Sequence, residues 1–159
     1  MDVPLSVEWR WRAWAELTRD ELYALLALRQ AVFVVEQDCA YQDADGYDAE
    51  ARHLLGWRDG ALVAYLRTFA PGVQRPQAAI GRVITAATVR GQGLGDPLMW
   101  AGLEGLFERA GGPVPCFVSA QAHLEGWYGR LGFRVSGPSY DEDGIPHLPM
   151  IRPAIPVPR

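Results

Sequence analysis

Between Val83 and Gly95 the chain reads Val-Ile-Thr-Ala-Ala-Thr-Val-Arg-Gly-Gln-Gly-Leu-Gly. Ahead of it, Ala78 to Thr85 is apolar enough for a strand buried on both faces. Behind it, Leu98, Leu103, Leu106 and Phe107 recur at helical spacing. Three alternate glycines join the two. Such a junction constrains the fold more than any other stretch: the strand must lie inside a sheet and the helix must pack back onto it. The glycines let the backbone turn sharply with its amides aimed into one concavity, where the helix adds its unpaired N–H groups and positive dipole end. That is a ready phosphate site, which Arg90 can supplement. A plain flexible turn ahead of a surface helix accounts for the glycines equally well.

Other nucleotide-binding turns are excluded. A Walker loop needs Gly-Lys-Ser/Thr, and all fifteen basic residues here are Arg. A dinucleotide fingerprint needs G-x-G-x-x-G, whereas Gly91, Gly93 and Gly95 alternate.

The remaining pattern predicts one α/β domain over residues 1–159, with a mixed sheet flanked by helices. Val7, Trp9, Trp11 and Ala13 alternate with charged residues as a half-buried strand does. Thr18 and Glu21 form a capping box for a helix running to about Phe33. The acidic segment Cys39 to Ala51 reads as a loop, its acids Asp43–Asp48, like Asp141–Asp143, being either plain solvated turns or an attraction for a cation. His53–Trp57 and Leu62–Phe69 pair as a hairpin across Asp59-Gly60. Gly111-Gly112-Pro113 stops the second helix. A strand at Cys116–Ser119, a helix from Ala122 to Leu131, and closing strands at Phe133–Val135 and His147–Ile151 follow, with a turn at Asp143-Gly144. Antiparallel hairpins come first and parallel crossovers after. The Pro-rich tail 153–159 reads as extended or loose.

Arg90-Gly91-Gln92-Gly93-Leu94-Gly95 resembles the Arg/Gln-x-x-Gly-x-Gly/Ala signature of the GCN5-related N-acetyltransferases (GNAT). A second landmark is in register with it: Gln121 to Phe133, ending Trp127-Tyr128-Gly129-Arg130-Leu131-Gly132-Phe133, is similar to that family's Asn-x-x-Ala-x-x-(aromatic or Leu)-Tyr-x-x-Leu-Gly-Phe helix. Leu28–Gln37, Tyr41–Gly46, Ser119–Leu124 and Tyr140–His147 resemble its ElaA-type branch, and extend the match from about Val7 to Arg152.

The resemblance implies a sheet with two splayed parallel strands, Ala78–Thr85 and Cys116–Ser119, and acetyl-CoA in the cleft between them. Arg90, Gly91, Gln92, Gly93, Leu94 and Gly95 would hold the pyrophosphate. A backbone N–H around Val83, Ile84 and Thr85 would polarise the thioester, and Tyr128 would protonate the departing thiolate as the acetyl group passes directly to a primary amine. Asp96 beside a diphosphate repels it unless its side chain caps the helix and points away. The strand segment Ile80-Gly81-Arg82-Val83 lacks the carboxylate many relatives use as base, so the candidates are Glu36, His123, His147 and the acids Asp141–Asp143. Glu36 is expected to pair with Arg29 on the apolar face of the first helix. A non-catalytic module that binds acyl-CoA to regulate a partner is the rival reading.

Composition removes other classes. A net charge of −4 argues against a broad grip on nucleic acid. No apolar run reaches the roughly 18 residues of a membrane span, and Met1–Pro4 lacks the features of a signal peptide. Cys39 and Cys116 are therefore expected to be reduced thiols in a cytoplasmic protein. No metal site is expected: the three histidines lack ligand spacing, and an EF-hand alignment on Gly46 puts Tyr41 first and Arg52 twelfth. Trp9, Trp11 and Trp14 are candidates for a homodimer face.

Overall fold

Alternation in the first strand sets one edge of the sheet: β1 (Glu8–Ala13) runs antiparallel to β2 (Arg52–Arg58), and β3 (Ala61–Phe69) returns beside β2. Gly60, at φ +78°, makes that turn. β4 (Ala78–Thr85) pairs antiparallel with β3. The computed structural model describes residues 6–159, so the reading of Met1–Pro4 lies outside the described residues. The second half supplies β5 (Cys116–Gln121), β6 (Arg134–Val135), β7 (Tyr140–Glu142) and β8 (Ile145–Arg152). The order is β1-β2-β3-β4-β5-β8-β6, with β7 paired to β8.

β4 and β5 are parallel, and they splay. Only Ala78 with Cys116 and Ala79 with Phe117 are paired; beyond them the strands part toward their C-terminal ends. The sequence reading expects several parallel crossovers, and the sheet has this one. β8 offers six paired positions to β5, from Cys116–Arg152 to Gln121–His147, whereas the two-residue β6 serves only as an edge. The Asp143-Gly144 turn belongs to the β7–β8 hairpin.

Helix α1 (Arg19–Arg29) starts at the expected capping box: Glu21 N–H donates to Thr18 Oγ1 at 3.1 Å, and Thr18 N–H to Glu21 Oε1 at 3.0 Å. In place of an α-helix to Phe33, the coil widens into a π-helical segment over Gln30–Glu36. Two causes meet there: Arg29 is pinned in the interior, and Val32, Val34 and Val35 crowd a tighter helix. α1 covers one sheet face through Leu25, Leu55, Tyr65 and Ile84. On the other face, α2 (Gly95–Ala110) packs Leu98, Met99, Leu103 and Leu106 against Leu66, Ile80 and Val118. The final helix is shorter than expected, a 3₁₀ turn at Ala122–Leu124 followed by α3 (Glu125–Arg130).

Trp9 and Trp11 do not form an exposed face. Both pack against the core, and the Arg109 guanidinium lies 4.4 Å from the Trp11 ring centre. The tail beyond Arg152 carries no helix or strand. Buried Arg152 ties it down, donating to the carbonyls of Leu131 at 2.9 Å, Ile155 at 2.6 Å and Pro156 at 3.1 Å.

Candidate active site

Register slips where β4 passes Leu66. Tyr65 opposes Ile84 and Arg67 opposes Gly81, so Arg82 and Val83 together face a single residue of β3. Arg82 adopts φ +51°, in the left-handed region. A bulge of this kind leaves one residue out of the ladder and re-aims its neighbours. It begins one residue before the Val83–Thr85 segment expected to carry the polarising amide.

The acidic loop holds the bulge. Arg29, fully buried, donates through Nε to Asp43 Oδ2 and through Nη1 to Asp48 Oδ1, each at 2.7 Å. Arg67, in the middle of β3, binds Asp45 at 2.9 Å and Asp48 at 2.8 Å. Arg82 lies 2.9 Å from Asp43 and 3.4 Å from Asp45. Three carboxylates thus meet three guanidiniums. Burial works to raise the Asp45 carboxyl, but the bonds and charge of Arg67 outweigh it and hold the group well below the usual carboxylate range. The loop's acids are thus neither a plain solvated turn nor free to attract a cation: their charge is spent inside the molecule. His53 completes the support: Nε2–H donates to the Asp48 carbonyl at 2.9 Å, and Nδ1 accepts from Tyr65 OH at 2.6 Å. Burial lowers the His53 pKa and keeps the ring neutral.

A cavity of about 760 Å³ opens between the splayed strands, the π-helical segment and the β7–β8 hairpin. Glu36, Val83, Ile84, Thr85, Arg90, His123, Tyr128 and His147 all line it, so the residues singled out from four separate stretches of sequence share one space. Next to it, Gly91 and Gly93 turn at φ +79° and +75°, with nothing within 4 Å of where a Cβ would stand. Leu94 at the α2 N-cap offers no side-chain acceptor. Among the described residues, the N–H groups of Gly91, Gly93, Leu94 and Gly95 donate to no protein acceptor, and that of Gln92 closes a turn without a well-formed hydrogen bond.

Tyr128 is 6% exposed, and burial pushes its phenol above the ordinary value. Its hydroxyl makes no hydrogen bond among the described residues. The ring packs between Trp127, with centroids 4.8 Å apart, and Phe133, at 5.7 Å. Two expectations are corrected beside it. Glu36 pairs with Arg90, not Arg29, because Arg29 points to the interior while Glu36 closes the π-helical segment over the glycine turn. Asp96 does not cap α2: Trp127 Nε1–H donates to Asp96 Oδ1 at 2.6 Å and draws the carboxylate toward α3.

His147 is nearly buried on β8. Its Nδ1–H donates to the Ile145 carbonyl at 2.7 Å, and Nε2 lies 3.2 Å from Glu142 Oε2. His123 is exposed at the cavity edge. Cys39 also faces the cavity, its thiol donating to the Asp143 carbonyl at 3.2 Å. Cys116 is buried, its pKa pushed up to about 12. Both cysteines are free. Among the described residues, no group of three or more His, Cys, Asp or Glu is arranged to hold a metal ion, and no helix is long and apolar enough to cross a membrane.

Comparison with known proteins decides the family. The model of the acetyltransferase (GNAT) domain matches residues 17–152. The chain belongs to the GNAT acetyltransferases. Its relatives include protein ElaA of Escherichia coli K12, 44% identical over 151 residues, which span 94% of this chain and 98% of ElaA. Among solved structures, an acyl-CoA N-acyltransferase from Pseudomonas aeruginosa is 49% identical at a TM-score of 0.87, covering 92% of this chain and 99% of that one. Escherichia coli ElaA follows at 43% identity and 0.86, with the same coverage. The GNAT sheet, its splayed strands and an acyl-CoA site fit this chain.

The sequence reading missed Arg67, Asp45 and His53 as the support of the site. A signal was present: Arg67 is an isolated charge inside the apolar strand Leu62–Phe69, and the carboxylates that answer it lie in the acidic loop.

Proposed function

We propose that this GNAT protein transfers an acetyl group from acetyl-CoA directly to the primary amine of a small molecule or of a peptide or protein. The observation that carries the reading is the unspent turn: the N–H groups of Gly91, Gly93, Leu94 and Gly95 have no protein acceptor, and open space lies before Gly91 and Gly93. Such a cradle suits a diphosphate, and Arg90 adds a guanidinium beside it. The thioester supplies an acyl group already activated toward attack.

The chain's own groups do the rest. A main-chain N–H freed by the Arg82–Val83 bulge, within Val83–Thr85, stabilises negative charge on a carbonyl oxygen. An amine arrives protonated, since its ordinary pKa is near 10, and His147 takes that proton. Register supports this choice. His147 is the antiparallel partner of Gln121, and both line the cavity together with Val83 and Tyr128. The Ile145 carbonyl fixes the proton on Nδ1, leaving Nε2 as the exchanging nitrogen, while Glu142 complements the charge the ring acquires. Glu36 is less suited, because the Arg90 guanidinium holds its carboxyl below the ordinary value. Tyr128, unpartnered and kept protonated by burial, donates to the departing thiolate.

The test is release of free thiol from acetyl-CoA with a panel of amines, in the native chain and in Tyr128→Phe. The reading expects turnover that falls roughly 100-fold in the variant, the lower end for loss of a general acid, with acetyl-CoA binding unchanged. Tight coenzyme binding with no thiol release across the panel favours a non-catalytic acyl-CoA module instead.

A further inference from the structure

Four arginines line the cavity: Arg67, Arg75, Arg82 and Arg90. Three are committed, Arg67 to Asp45 and Asp48, Arg82 to Asp43 and Asp45, and Arg90 to Glu36. Arg75 has no acidic partner among the described residues. It is not loose, however. Its carbonyl accepts from Gly72 N–H at 2.8 Å, which closes the loop, and its guanidinium lies 3.8 Å from the ring centre of Phe117, itself a lining residue. A guanidinium stacked on a ring has its face covered, while its five N–H donors point outward in one plane. That edge matches a carboxylate fork to fork.

Resting on the acyl-transfer reading above, we propose that Arg75 is a specificity residue for the acceptor, selecting a primary amine that carries a carboxylate at a distance. The sheet bounds that distance. Phe117 pairs with Ala79, four residues before Val83, so Arg75 and the acyl-transfer point stand up to roughly 13 Å apart along β4, the Arg82–Val83 bulge shortening a regular strand's reach. Contacts of about 3 Å at each end leave up to roughly 7 Å, a span that about six single bonds in an extended chain reach. An α-amino acid, with two bonds between nitrogen and carboxyl carbon, is too short. An amine at the far end of an aliphatic chain fits, with Phe69 and Phe117 as apolar lining for its methylenes.

The probes are 6-aminohexanoate, its neutral isostere 6-aminohexanamide, and alanine. Two readouts are needed: thiol release with acetyl-CoA, and calorimetric binding of each probe to the CoA complex, which does not require turnover. The expected result is a KM and a Kd for 6-aminohexanoate at least tenfold below those of the amide and of alanine. Arg75→Gln removes that gap, leaving acetyl-CoA affinity and turnover of the amide unchanged. Arg75 is on an exposed loop, so the variant is expected to fold. Equal affinity for acid and amide in the native chain overturns the proposal, and so does weakened acetyl-CoA binding in the variant, which would assign Arg75 to the donor. Turnover of amines without carboxylate preference refutes the subsite and leaves acyl transfer standing. Selective binding of 6-aminohexanoate without turnover supports the subsite and counts against acyl transfer.

Discussion

Arg90 and Glu36 hold each other at the cavity, yet Arg90 is also the guanidinium that the proposed donor site assigns to a diphosphate. Both side chains are partly exposed, so the pair itself adds little stability. Its consequence is competition: an incoming diphosphate must share or take Arg90. Glu36→Gln is therefore expected to tighten CoA binding several-fold at low salt, with the gain fading as ionic strength rises. Isothermal titration at two salt concentrations measures this; unchanged affinity would show that Arg90 serves both partners at once. Tyr128 carries a second expectation at the same scale. Its folded pKa is raised above the ordinary phenol value near 10, so the acid form persists throughout the neutral and mildly alkaline range. A pH–rate profile should show no descending limb from this group below about pH 10.

Elements are fixed by contacts that the linear pattern only partly reveals. The capping box at Thr18, the hairpin at Asp59-Gly60 and the α2 stop at Gly111 were legible because each depends on residues adjacent in sequence. The π-helical segment was not, since it follows from where Arg29 is anchored, fourteen and nineteen residues further on at Asp43 and Asp48. Replacing Arg29 by Ala would remove the fully buried cation of this cluster, leaving Asp43 to Arg82 alone and Asp48 to Arg67 alone. The expected loss is about 3–5 kcal/mol, the usual cost of breaking a buried pair, read by chemical denaturation. Helix α2 supplies another case. A Cβ on Gly105 would stand 2.3 Å from the Trp11 ring, so β1 and α2 approach more closely than any larger residue allows. Gly105→Ala gains about 0.5–1 kcal/mol of helix propensity but overpacks this contact at about 1–3 kcal/mol. Net destabilisation is expected in the same denaturation assay.

Across the whole molecule, the candidate site was readable where a local motif carries it, and unreadable where it depends on contact with a residue distant in sequence. Arg90–Gly95 and Tyr128 announce themselves as a turn and an aromatic helix. The pairing of Glu36 with Arg90, the spent charge of the acidic loop, and the Trp127 bond that turns Asp96 aside all depend on which strands become neighbours. That internal network gives the molecule an acid sensitivity. His53 has a folded pKa lowered by burial, so its contribution is complete above the unfolded value near 6.5 and declines as pH falls below it. Asp45 and Asp48 are likewise lowered when folded, burial opposing and their arginines prevailing. Their contribution is present above an unfolded value near 3.9 and is lost below it. Thermal unfolding followed from pH 7.5 to pH 3 should therefore show a first decline beginning near pH 6.5 and a steeper one below about pH 4. His53→Gln should remove the first.

The central claim is that the turn from Gly91 to Gly95 grips an acyl donor and sets its sulfur beside Tyr128. A crystal structure of the chain with bound CoA tests it most directly. The account expects the diphosphate oxygens within about 3 Å of the amide nitrogens of that turn and the thiol within reach of the Tyr128 hydroxyl. A diphosphate bound elsewhere on the molecule, or a thiol directed away from the cleft between β4 and β5, would contradict it.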